Sequence, residues 1–303
     1  MWECSVPAIA FDHPVAAHAV LALSAFSLRS STESTLYDLQ ATAELHYCRG
    51  LQILRASLPV LDQSNADAVL ACAMVLIPTA LAFARQSAQR TPQLDWLYHL
   101  RAWPALGASI YDTTQSTTEA ADRLIPYPQR GIPDGEQHAS NFDGDALCAS
   151  SSLLYNVIRH SWQGALEGLG AAIERSAIVH SETDCEAFSA ALAALQYVMK
   201  YTLECRVVNL FRTIFTWPIK ISKRFILMVI ARDHIALAIY THWLVLTILL
   251  KGLWFVGDFG SDRIQRLEAW YKRWDSPYIG LLRWPVETRI AWECTQVERL
   301  QLV

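Results

Sequence analysis

Four ionisable residues stand in the most apolar stretch of the chain: Arg232, Asp233, His234 and His242. A buried ion is costly unless it is paired, so this set either lies at a helix end in water or is mutually satisfied. One use is structural, an Arg232–Asp233 pair closing a helix against a neighbour. The other is chemical. Asp233, His234 and His242 would be catalytic or anchoring groups that hold the hydroxyl or carbonyl of a bound molecule and polarise it. His234 and His242 are separated by about 80° around a helix, so they share a broad face but not a ridge. Tyr240 and Trp243 flank that face and would shape the space it bounds.

His18 and His46 form a second candidate pair, each on an apolar helix face. A histidine there is either a satisfied core residue or a ligand contact. Trp254 and Phe259 either pack the end of a core or line a cavity wall. His160, Trp162 and Glu167 are a helix-spaced trio with the same two readings. The chain has no HExxH, no phosphate-cradling glycine loop, no GxSxG, no GxGxxG after a strand and no DDxxD. Metal-dependent cyclisation, phosphoryl transfer and cofactor-dependent oxidation are therefore not expected, and neither is any cofactor. The seven cysteines are scattered, with no CxxC spacing and nothing like a zinc ribbon or a six-cysteine cluster, so no metal site is expected. They read as small apolar fillers in a reducing compartment.

The elements that must position these residues are helical almost throughout. Periodicity and caps predict helices over Pro14–Leu28 (with Asp12 as N-cap), Leu36–Leu58, Asn65–Ala84, Leu94–Tyr111, Leu147–Ile178, Glu186–Val208, Phe225–Val256 and Arg263–Trp274. Alternating strand patterns are absent. The expected fold is all-α, one multi-helix bundle over residues 1–303 with a polar loop at about 113–145. That loop carries Pro126, Pro128 and Pro133, and reads as disorder or as a lid tethered by Leu124, Ile125 and Tyr127.

Composition narrows the partners. Of 303 residues, 52% are apolar and 18% charged, with a formal net charge of −4, which argues against direct nucleic-acid binding. Arg206, Arg212, Lys220, Lys223 and Arg224 cluster, and read as a cationic helix end and linker. The N-terminus lacks the basic start of a signal peptide. The apolar run Ile235–Leu250 falls short of a bilayer span and reads as a helix buried on all sides, so no membrane span is expected. A cytoplasmic or nuclear location follows, and a homodimer is compatible with it.

Several segments together resemble the regulatory domain of fungal zinc-cluster transcription factors, the group that includes sterol-sensing regulators. They are Val6-Pro7-Ala8-Ile9-Ala10-Phe11 with His18-Ala19-Val20-Leu21; Ala43 with His46 and Leu51; Asn65-Ala66-Asp67-Ala68-Val69; and Trp96-Leu97. The tail follows, Trp254-Phe255-Val256-Gly257-Asp258-Phe259-Gly260 and Leu282-Arg283-Trp284-Pro285. Order and spacing carry the likeness, which covers essentially the whole chain. Two departures stand out. Arg224–His234 replaces a proline followed by an apolar stretch with Ala-His-Tyr, and Phe259 stands where a Trp is usual.

The resemblance implies a helical bundle with an internal apolar pocket for a bulky apolar small molecule. Eleven tryptophans suit such a lining, or equally a solid core. The chain begins where the regulatory domain begins, so no DNA-reading arm is expected. Three functions remain open. The favoured one is a cofactor-free cyclase or pericyclase (Diels–Alder type) of secondary metabolism, acting on a terpenoid or polyketide by holding one reactive conformer. The others are a ligand-responsive regulator working through a DNA-binding partner, and a piece of a longer zinc-cluster factor.

Overall fold

The structure, a computed structural model, describes residues 5–31, 37–86, 144–204 and 210–300. Among the described residues there are eleven α-helices and no strand, so the all-α expectation is met. The expected helix Leu94–Tyr111 lies outside the described residues, as does the polar interval up to residue 143. Contacts divide the chain into two compact units, residues 1–137 and 138–303. The sequence shows no composition shift for a boundary there, but the division falls inside the Gly/Pro-punctuated interval.

The first unit holds α1 (Ser5–Asp12), α2 (Pro14–Ser31), α3 (Tyr37–Ser57) and α4 (Ala66–Gln86). Asp12 does not cap α2. It ends α1, and His13 takes the junction, its carbonyl accepting from the amides of Ala16 and Ala17. Pro14 is then the first helical residue, where a missing N–H is harmless. Ala16, Ala19, Ala22 and Ala25 are buried along one stripe of α2 and let α3 and α4 approach closely. Gly50 of α3 serves the same fit, since a Cβ there would sit 3.6 Å from the Ala19 amide nitrogen. By length and composition α4 could cross a bilayer, but 72% of its apolar stretch is buried within the protein.

The second unit holds α5 (Gly144–Ser176), α6 (Glu182–Glu204), α7 (Leu210–Lys220), α8 (Lys223–Ile230), α9 (His234–Ile248), α10 (Phe259–Arg273) and α11 (Arg283–Leu300). Helix α9 is its axis. It packs against all six of the others, and every residue from Ile235 to Ile248 is buried. That explains why its sequence has no polar face: a helix surrounded by helices has no solvent side.

The single helix expected over Phe225–Val256 is two helices meeting at 102°. Two local choices break it. Arg232 adopts φ 60°, and Asp233 turns its carboxylate onto the amides of Ile235 and Ala236. A carboxylate that satisfies two otherwise orphaned N–H groups starts a new helix in preference to continuing the old one. The cationic stretch read as a linker contains α7 and the start of α8, and α11 extends a tail in which no helix was expected.

Candidate functional site

At one end of the second unit, helix starts are tied together by two carboxylates. Ser181 caps α6, receiving the Asp184 amide at 3.2 Å while donating to Asp184 Oδ2 at 2.6 Å. Arg224 of α8 donates to Asp184 Oδ1 at 2.6 Å. These donors, Arg224 first and Ser181 next, hold the Asp184 carboxyl down at about 2. Asp233 is the second tie. Its Oδ1 accepts from the amides of Ile235 and Ala236 at 2.9 Å, and its Oδ2 from His180 Nε2 at 2.8 Å. The expected Arg232–Asp233 pair is thus replaced by a His180–Asp233 pair across the corner. His234, next in line, turns away to Ser276 Oγ at 2.7 Å, and Trp270, Tyr271 and Tyr278 surround its ring within 6.0 Å. The Tyr271 hydroxyl donates to the His234 carbonyl.

His242 lies two turns deeper and does not meet His234. Its Nδ1 donates to the Ala238 carbonyl at 2.8 Å and its ring stacks on Trp284 at 5.3 Å. Complete burial pushes its pKa down to about 4, so the ring is neutral at physiological pH. Trp284 is held in turn by Nε1 donating to Ser161 Oγ at 2.7 Å. Asp233, His234 and His242 therefore occupy three environments.

The aromatic residues do converge. Tyr240 stacks on Trp243 at 5.8 Å, and Trp243 on Trp217 at 5.4 Å. Contacts continue from Trp243 through Phe215, Phe211 and Phe255 to Trp254, linking three of the residues expected to shape a cavity. The Trp243 position follows from the sequence of α7. Pro218 has no N–H for the carbonyl of Ile214 four residues earlier, and that carbonyl accepts instead from Trp243 Nε1 at 3.0 Å. Phe259 is buried at the start of α10, with the Arg263 guanidinium 5.6 Å from its ring centre.

Tyr240 is the chemically unsettled member. Its side chain is fully enclosed, its hydroxyl has no hydrogen-bond partner among the described residues, and burial pushes its pKa up to about 12 against the easing charge of Arg263. A phenol left this way in a native core is uncommon, since its unmet hydrogen bond carries the full desolvation penalty. It is a ready donor to any acceptor brought beside it.

In the first unit His18 and His46 do meet. Their Nδ1 atoms are 2.7 Å apart and the ring centres 5.0 Å apart, so the rings face each other end to end. One Nδ1–H points at the other lone pair, which suits a shared proton and leaves no converging lone pairs for a metal. Burial, then the charges of His46 and Arg49, lower the pKa of His18. Among the described residues, no three His, Cys, Asp or Glu side chains group around a metal position. Of the trio in α5, Trp162 is buried whereas His160 and Glu167 face solvent.

Sequence reasoning missed His180, Asp184, Ser276 and Trp217. Ser181-x-x-Asp184 before an apolar run was the available cue for the α6 cap. The pairing of His180 with Asp233 across 53 positions left no local signal.

The comparisons agree with the resemblance. The chain is 30% identical over 121 residues to Sterol uptake control protein 2 of Candida albicans, a match taking in 39% of this chain and 16% of that protein. It is 29% identical over 122 residues to Sterol uptake control protein 2 of Saccharomyces cerevisiae, covering 38% and 13% respectively. The likeness to fungal sterol-sensing regulators is thereby borne out over about two fifths of the chain, and the chain spans only a small part of the length of these relatives. No family model and no solved structure matches the chain.

Proposed function

We propose that this chain is a ligand-responsive regulatory domain, which receives a bulky apolar small molecule in its second unit and controls transcription through a DNA-binding partner or segment. The observation that carries the reading is the identity with two sterol uptake control proteins. The unpartnered Tyr240 hydroxyl beside Trp243 and Trp217 supports it, because a sterol-like ligand has one oxygen to satisfy and a large apolar body to bury. Such a protein would act in the nucleus or shuttle to it from the cytoplasm.

A fluorescent sterol tests this. Saturable binding to the full chain, weakened in Tyr240→Phe, is expected. Absence of binding, or equal binding by the variant, would overturn the ligand assignment. Deleting the gene should shift transcript levels of lipid-handling genes, and unchanged transcripts would overturn the regulatory one.

A cofactor-free cyclase or pericyclase is the second reading, favoured by the same hydroxyl. A phenol of pKa about 12 in a buried aromatic surround can polarise a substrate carbonyl without giving up its proton. Gene deletion would then leave transcripts intact and accumulate one uncyclised intermediate.

A further inference from the structure

His180 sits in the turn between α5 and α6 with an acceptor at each ring nitrogen. Nε2 lies 2.8 Å from Asp233 Oδ2, and Nδ1 lies 3.3 Å from the carbonyl oxygen of Ser176. A neutral imidazole carries one N–H, so in that form one of the two contacts sets a lone pair against an oxygen. Only the imidazolium donates to both. The ring edge packs on Phe188 at 5.2 Å, which fixes its plane.

The element it grips is under tension of its own. Between α8 and α9 the chain turns through 102°, and Arg232 holds a left-handed φ of 60°, a conformation that a residue with a side chain adopts at a cost. Contacts must hold that corner, and Asp233 makes them.

We propose that His180 is a proton-operated latch: as imidazolium it ties the α5–α6 turn to the first turn of α9 with a charge and both ring N–H groups, and as neutral imidazole it keeps only one of the two hydrogen bonds and loosens that tie. The titratable and charged groups facing it are Asp233 from the corner and Asp184 from α6, the latter engaged by Arg224 of α8. Burial, and then the Asp233 charge, push up the pKa of Tyr271 of α10, and with its hydroxyl on the His234 carbonyl it stays protonated. Burial lowers the His180 pKa, but the hydrogen bond and charge of Asp233 outweigh it, and the net direction is upward. A raised histidine contributes fully below its unfolded value near 6.5 and loses that contribution as pH rises through the folded value. The latch therefore tightens on acidification through the neutral range. It acts on the first turn of the helix that carries Tyr240 and Trp243, yet needs no ligand to operate.

Hydrogen exchange on the full chain tests it. After correction for intrinsic rates, protection of the Ile235, Ala236 and Leu237 amides is expected to be about two- to fivefold higher at about pH 6 than at about pH 8, the scale of a partly exposed ion pair. In His180→Gln, which keeps a donor toward Asp233 but cannot titrate, the difference should vanish. A flat wild type, or a variant that keeps the difference, overturns the proposal. In Asp233→Asn, which preserves the cap, the His180 ring should titrate at a lower pH by NMR. An unmoved midpoint would overturn it as well.

Discussion

Two positions on α9, two residues apart, show how burial alone sets chemistry. His242 is neutral because burial lowers its pKa by more than the Ala238 carbonyl, which accepts its single N–H, raises it. The unfolded chain binds a proton near 6.5, whereas the folded chain resists it to about 4. The unfolded state therefore holds more protons in that window, and stability present above 6.5 is lost as pH falls toward 4, on the order of 3 kcal/mol in all. His242→Phe keeps a ring against Trp284 and removes the titration. Urea unfolding should show the variant losing less stability than the wild type between about pH 7 and pH 4. Tyr240→Phe deletes a hydroxyl that no group among the described residues uses. Without ligand it should be neutral or stabilising by up to about 1–3 kcal/mol, because an unmet buried donor is removed. A clear loss of stability in ligand-free protein would show that the hydroxyl has a partner. Both residues were legible as groups on an apolar helix. Their partners were not, because a carbonyl four residues back and a Trp on another helix leave no trace in residue spacing.

The helices themselves were largely legible, since caps and apolar periodicity act locally. Breaks depended on competition between local options. Arg232-Asp233 reads equally as helix interior or as a stop and restart, and only the carboxylate's choice of the Ile235 and Ala236 amides decides it. Pro218 is a second case. Within α7 it frees the Ile214 carbonyl, and a side chain from α9 fills the vacancy, so the two helices are joined by a bond that one of them could not make alone. Trp243→Phe should lose about 1–3 kcal/mol from that stranded carbonyl, beyond its lost packing. Trp217→Phe is the comparison. Its Nε1 donates to the Ala191 carbonyl within an uninterrupted helix, so the hydrogen-bond share of its loss should be smaller. Thermal unfolding of the two variants checks the order. Gly260 marks a close approach of α10 to α9. A Cβ there would collide with Thr247 Oγ1 and come within 2.7 Å of the Leu244 carbonyl oxygen. Backbone cannot yield as a flexible side chain does, and Gly260→Ala should destabilise by about 1–3 kcal/mol. The glycine-flanked tail is thus also a packing constraint.

For the molecule as a whole, a division into two units was not legible, because the described residues of both units are apolar-rich helices and no composition shift marks a boundary. Their histidines nevertheless respond to acid through different chemistry. In the first unit, the Nδ1 atoms of His18 and His46 lie 2.7 Å apart across the α2–α3 contact, where only one of the two can carry a proton without setting N–H against N–H. The lowered pKa of His18 means that this unit keeps its full stability above about 6.5 and gives some up below it. In the second unit, His242 acts in the same direction from the core while His180 acts in the opposite one from the corner. Units with separate cores need not unfold together. Denaturant unfolding at mildly acidic pH, followed residue by residue through exchange-sensitive amides, should resolve two sets. His18→Gln should stabilise only the set in α2, α3 and α4, by removing the like-charge contact. His242→Phe should move only the set in α5 to α11. If either variant moves both sets equally, the chain is one cooperative body, and its acid response belongs to the whole fold and not to a unit.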